Sequence, residues 1–312
     1  MFRFALLLVL TLLAAASPIV HAQGSRWQQA YERGQALAAE MRTRDAVRVT
    51  EKAVRLAEKH FGHIHPNVAR SLDALATLYQ TQGRYDEAEH ALRRNLVIWT
   101  AQRGAGDPAV AASTHRLAML AHAQGREADA ERLLKQALTL YQIEWGDYHP
   151  TVGTCLLDLA TVYQAQGRRA EIEPLLRRAI DICERKRITD PLGAAKALNA
   201  LLAHYVTEGR YEEALPLCER ALAMNERAAG RIDANVATDL SNFAVLVHMQ
   251  GDYRNADVLY RNAIAAWESV LGPDHPEVAR TLEDYAVLLR DAGKPAEADQ
   301  VSARAKRILS GP

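Results

Sequence analysis

The sequence predicts an all-α chain of about seven helical hairpins stacked into a solenoid, and three regularities predict it. Glycines at 83, 125, 167, 209, 251 and 293 stand 42 residues apart. Small residues keep the same step: Ala88, Ala130, Ala214, Ala256 and Ala298 lie five places after a glycine, and Ala76, Ala118, Ala160, Ala244 and Ala286 seven before one. Between these marks the apolar residues follow helical spacing, as Val68, Leu72, Leu75, Ala76 and Tyr79 do in "VARSLDALATLYQTQG". A fixed step of this length marks a repeat architecture, in which one unit buries its apolar face only against its neighbours.

The elements follow in chain order. Residues 1–22 read as a signal peptide: one early positive charge, the apolar run "ALLLVLTLLAAA", and Val20 and Ala22 at the minus-three and minus-one places of a cleavage site. The expected mature chain begins at Gln23, and its expected location is periplasmic or secreted. Running the ladder back places Gly34, Ala46 and Ala53 on the small-residue rungs of an N-terminal capping hairpin, residues 23–66, with Met41 in place of the turn glycine. Six repeats fill residues 67–312. Pro66, Pro108, Pro150 and Pro276 mark first-helix entries, with Pro191 one residue short of the ladder. Proline suits the first helical position because its missing N–H would be unpaired there anyway. The Asp or His before each is a cap acceptor, so Asp274-His275-Pro276 is helix punctuation and not the edge of a catalytic site. In the second helices, Ile172 replaces a packing alanine, and Pro174 and Pro216 stand near the first turn. The last helix, "EADQVSARAKRIL", is polar as a terminal unit must be.

This wording, with Gly, Ala and Tyr at fixed rungs and "HP-x-V-A…L-A-x-L-Y-x-x-Q-G-R-Y-x-E-A-E", resembles the tetratricopeptide repeat in its 42-residue kinesin-light-chain form. The resemblance implies a right-handed superhelix whose first helices line a concave groove. Carried over by position, it implies a partner-binding row of Arg70, Asp73, Thr77 and Gln80; His115, Met119 and His122; Leu157, Thr161 and Gln164; Lys196 and Asn199; Ser241, Val245 and His248; and Arg280, Glu283 and Arg290. Only Lys196 and Asn199 suggest a carboxylate clamp of the chaperone-adaptor kind, and no second pair accompanies them.

Charge narrows the partner. With 38 basic and 38 acidic side chains, the chain lacks the cationic excess that nucleic acids or anionic membranes require. No stretch after the leader is long and apolar enough to span a bilayer. H-E-x-x-H, G-x-S-x-G, Walker and G-x-G-x-x-G motifs are all missing from the sequence. No enzyme activity and no cofactor are expected. His60, His63 and His65 in "EKHFGHIHP" form the densest metal-like cluster, but they straddle a helix end and a repeat boundary, so no metal site is expected. Cys155 begins one helix and Cys183 ends its hairpin partner; the pair reads either as a disulfide or as buried thiols, and Cys218 as a core thiol. The expected function is an exported, non-enzymatic scaffold that binds a protein or peptide. The alternative is an assembly subunit of an envelope complex acting through self-association.

Overall fold

The computed structural model describes residues 26–185, 191–229 and 233–310, and the leader with its cleavage site lies outside them. Helices succeed one another through these residues, with no strand among them. The chain divides into two compact units, one ending at Asp147 and the other beginning at Tyr148. The first holds α1 (26–39), α2 (Thr43–Phe61), α3 (Pro66–Thr81), α4 (Tyr85–Arg103), α5 (Pro108–Ala123) and α6 (Glu127–Trp145). The second holds α7 (Pro150–Ala165), α8 (Ile172–Glu184), α9 (Pro191–Thr207), α10 (Tyr211–Ala229), α11 (Ala234–Met249), α12 (Tyr253–Leu271), α13 (Pro276–Asp291) and α14 (Pro295–Ser310). Odd and even helices pair as hairpins, three in the first unit and four in the second.

The small-residue rungs sit where helices meet. Ala76, Ala88, Ala118 and Ala130 in the first unit, and Ala214, Ala244, Ala256 and Ala298 in the second, are fully buried. Gly34 occupies the same rung in α1, where a Cβ would stand 2.4 Å from Thr50 Oγ1. Twelve places after each glycine, where later repeats have Ala137, Ala179, Ala221, Ala263 and Ala305, the first has Asn95, buried with its amide in use. Its Nδ2 donates to the Ala69 carbonyl at 2.7 Å, and its Oδ1 accepts from the Ser113 hydroxyl at 2.6 Å.

The caps form as the punctuation predicts. Asp107 Oδ1 accepts from the Ala109 N–H at 2.8 Å, and Asp233 from Asn235 and Val236. Where histidine takes the place, Nδ1 is the acceptor: His65 for Asn67 at 3.1 Å, His149 for Thr151 at 3.3 Å and His275 for Glu277 at 3.2 Å. Such a nitrogen must be unprotonated. Burial, then the neighbouring His60, holds the His65 pKa below its ordinary value.

The turn glycines adopt positive φ, 70° at Gly83 for instance, which carries little penalty without a Cβ. A second series, Gly62, Gly104, Gly146 and Gly272, ends even-numbered helices, also at positive φ but with an extended ψ of 159–168°. Met41 keeps φ at 60° with its side chain 86 % exposed, so its left-handed backbone is not offset by burial. Met41→Gly is expected to stabilise the first unit by about 1 kcal/mol, read as a higher midpoint in urea unfolding.

Two prolines on one rung behave differently. Before Pro174 the backbone forms a short 3-10 turn, Arg169–Glu171, and α8 starts only at Ile172. Pro216 instead lies within α10, which runs from Tyr211 unbroken. At the α8–α9 junction Glu173 accepts from Arg210 Nη1, the Tyr205 hydroxyl and Arg177 Nε, each at 2.8 Å. Arg210 above all holds this carboxyl at about 2, well below the ordinary carboxylate range. A depressed acid stabilises the fold above its unfolded pKa and loses that contribution as pH falls through the folded value. Thermal melts of Glu173→Gln should therefore lose part of the acid-side decline between about pH 4.5 and pH 2 that the native protein shows.

Candidate partner-binding surface

In the first unit the predicted row runs along α3 and α5. Arg70 and Thr77 are exposed, and Asp73, Gln80, His115 and Met119 are half-buried. The two helices are tied across it by Arg116, a residue the positional carry-over missed. Its guanidinium pairs with the Asp73 carboxylate and donates to Thr77 Oγ1 at 2.6 Å. Asp73 and Thr77 also border a cleft of about 400 Å³ with Tyr31, Gln35 and Thr50. His115 packs edge-on against Tyr141, with ring centroids 6.0 Å apart, and His122 Nδ1 lies 2.7 Å from Glu127 Oε2. Both imidazoles are thus held by second helices while part of each ring stays open.

In the second unit the row continues on α7, α9, α11 and α13. Thr161, Gln164, Lys196, Arg280, Glu283 and Arg290 are exposed, and Leu157 and Val245 are half-buried. Arg280 pairs with Glu277 at 2.9 Å and Arg290 with Asp299 at 3.6 Å. Asn199 is turned toward the next first helix, donating from Nδ2 to Asp239 Oδ1 at 2.6 Å, while its buried Oδ1 finds no acceptor role. Asp239 has no exposed surface, so this amide serves packing more than recognition.

Ser241 corrects the sequence expectation. It is only 5 % exposed, with its hydroxyl donating to the Ala237 carbonyl at 2.9 Å and accepting from Trp267 Nε1 at 3.0 Å. The indole of α12 covers it, so it faces the hairpin interior and is not part of the row.

His248 borders a cleft at the end of this row. Its Nε2 stands 2.9 Å from Asp291 Oδ2 and its ring faces the rings of Tyr253 and Tyr260. These residues, with Val245, Met249, Asp284 and Val287, enclose a cleft of about 450 Å³. Val287 stands 42 residues after Val245 and Asp284 directly follows Glu283, so the ladder itself could have found both.

The family follows from how much of the chain repeats. A family model described as tetratricopeptide repeat matches residues 28–96, 76–143, 110–185, 193–261 and 240–310. The chain is a tetratricopeptide repeat protein. No curated protein matches it in sequence. Among solved structures it is similar to the nearly identical repeats of a kinesin light chain from Podosopora anserina. Identity there is 25 %, coverage 65 % of this chain and 97 % of that one, and the TM-score 0.56. It also resembles a signal-transduction ATPase with a tetratricopeptide repeat sensor from Pyrococcus horikoshii (14 % identity, 93 % and 42 % covered, TM-score 0.70). Aspartyl phosphate phosphatase F from Bacillus subtilis is a third (14 %, 96 % and 74 %, 0.67). At 14 % identity the last two establish the fold alone.

The remaining candidates of this tetratricopeptide repeat protein are placed as follows. His65 gives Nδ1 to its helix cap and stacks on Phe61, His60 also packs on Phe61, and His63 lies 3.5 Å from Glu58. Among the described residues no three His, Cys, Asp or Glu side chains converge as a metal set. No described helix is long and apolar enough to cross a membrane. Both sequence readings of Cys155 and Cys183 place them in one hairpin, and both are buried there, as Cys218 is in α10. Burial first, then the Asp158 charge, pushes the Cys155 thiol up to about 12.

Proposed function

We propose that the chain is a non-catalytic scaffold that binds a protein or peptide along the exposed row of its first helices, and that it works outside the cytoplasm. The observation that carries this reading is how the row is divided. Thr161, Gln164, Lys196, Arg280, Glu283 and Arg290 stay exposed on helices whose other faces are buried. Evenly spaced polar groups on such a surface suit an extended peptide, with one side chain engaged per repeat. Export is supported by the segment 1–22 with its cleavage pattern.

The test is a selection of random displayed dodecapeptides on the chain beginning at Gln23, followed by calorimetry of the recovered peptides. Gln164→Arg together with Lys196→Glu is expected to weaken binding at least tenfold, while Val97→Arg on α4 leaves it unchanged. The opposite pattern would move recognition to the second helices. No recovered peptide, with a single oligomer in light scattering, would favour self-assembly.

A further inference from the structure

Of the surfaces in the second unit, the cleft bounded by α11, α12 and α13 is the one whose chemistry names an occupant. Its opening is apolar: Met249, Tyr253 and Val287 are exposed around it, and Val245 lies deeper. Two of its polar groups are unspent. The half-buried Asp284 carboxylate makes no hydrogen bond or ion pair among the described residues, and burial, before any neighbouring charge, raises its pKa. Tyr260 is 1 % exposed, yet its hydroxyl makes no hydrogen bond among the described residues either. Asp291 adds a second carboxylate, shared with His248 at 2.9 Å.

We infer that this cleft receives a basic side chain, the lysine or arginine of a bound peptide, with its cation on Asp284 and Tyr260. The inference rests on the peptide-binding reading above and specifies one subsite of it. Charge complementarity decides the occupant. An anionic side chain would meet the Asp284 and Asp291 carboxylates together; Arg280, one turn away on α13, is already engaged by Glu277. A neutral apolar side chain would bury Asp284 further without a partner, which is costly for a carboxylate. A lysine or arginine fits both parts of the cleft. Its methylene stem lies along Met249, Val245 and Val287, as such stems do on apolar surface. Its charge reaches the carboxylate and the tyrosine oxygen, and the exposed Tyr253 ring offers a cation–π face.

The experiment uses the dodecapeptides selected on the full mature chain. Most are expected to share a lysine or arginine at one recurrent position. Replacing that residue by norleucine, which keeps the stem and removes the charge, should weaken binding at least tenfold on the native protein. On Asp284→Asn the same replacement should change affinity less than twofold. Asparagine keeps the shape of Asp284, and an unchanged far-ultraviolet melting curve checks the fold. Tyr260→Phe, which removes only the hydroxyl, is the second variant and should reduce the norleucine effect in part. Peptides recovered without a recurrent basic residue would overturn the subsite and leave the groove reading standing. So would an equal norleucine effect on the native and Asp284→Asn proteins. Failure to recover any peptide would defeat both.

Discussion

Replacing Trp267 by alanine is expected to lower the unfolding free energy of the second unit by about 3–5 kcal/mol, the range for deleting a buried tryptophan. Its indole is buried between α11 and α12 in the same apolar cluster as Ala244, Tyr260 and Leu282. Truncation removes that contact area and leaves a cavity the hairpin cannot close without moving α11. It also takes the Nε1 donor from Ser241 Oγ. Trp267→Phe separates the two effects, since it keeps most of the ring and loses the donor; about 1 kcal/mol is expected for the lost hydrogen bond. Urea unfolding followed by far-ultraviolet circular dichroism reads both. An alanine variant as stable as the native protein would mean that α12 does not pack on α11 through this residue.

Ala118→Leu is expected to cost about 1–3 kcal/mol, the range for adding bulk to a packed interior. Ala118 has no exposed surface and stands where α5 crosses its neighbours. The added branch would have to displace helix backbone, because closely packed interiors do not yield locally. Ala128→Leu is the control: it adds the same atoms at an exposed position on α6 and is expected to change stability by less than about 0.5 kcal/mol. Equal effects of the two would show that the alanine rungs are not contact points.

What the sequence revealed was whatever repeats. The glycine series at 83 to 293 located the turn inside each hairpin because each such turn takes a residue at positive φ, and Met41 was visible as the departure from it. The His-Pro and Asp-Pro pairs located first-helix starts because caps are local, satisfied within three residues. Side-chain pairing between repeats was not legible. Asp73 and Thr77 belong to the row by position but are held by Arg116, and Asn199 by Asp239. Such pairs depend on rotamers and on the rotation between neighbouring helices, which a 42-residue step does not specify. Ser241 shows the same limit: the rung predicts an open position, and the large Trp267 from the hairpin partner covers it. Pro174 and Pro216, alike in the sequence, part company because one helix begins late and the other absorbs its proline.

Binding through the first helices is the central claim, and amide hydrogen exchange with and without a selected dodecapeptide tests it most directly. The account predicts slower exchange in the first helices of consecutive hairpins, α9, α11 and α13 among them, with α10 little changed and α12 slowed only around the cleft residues Tyr253 and Tyr260. Slowing confined to the second helices would contradict it.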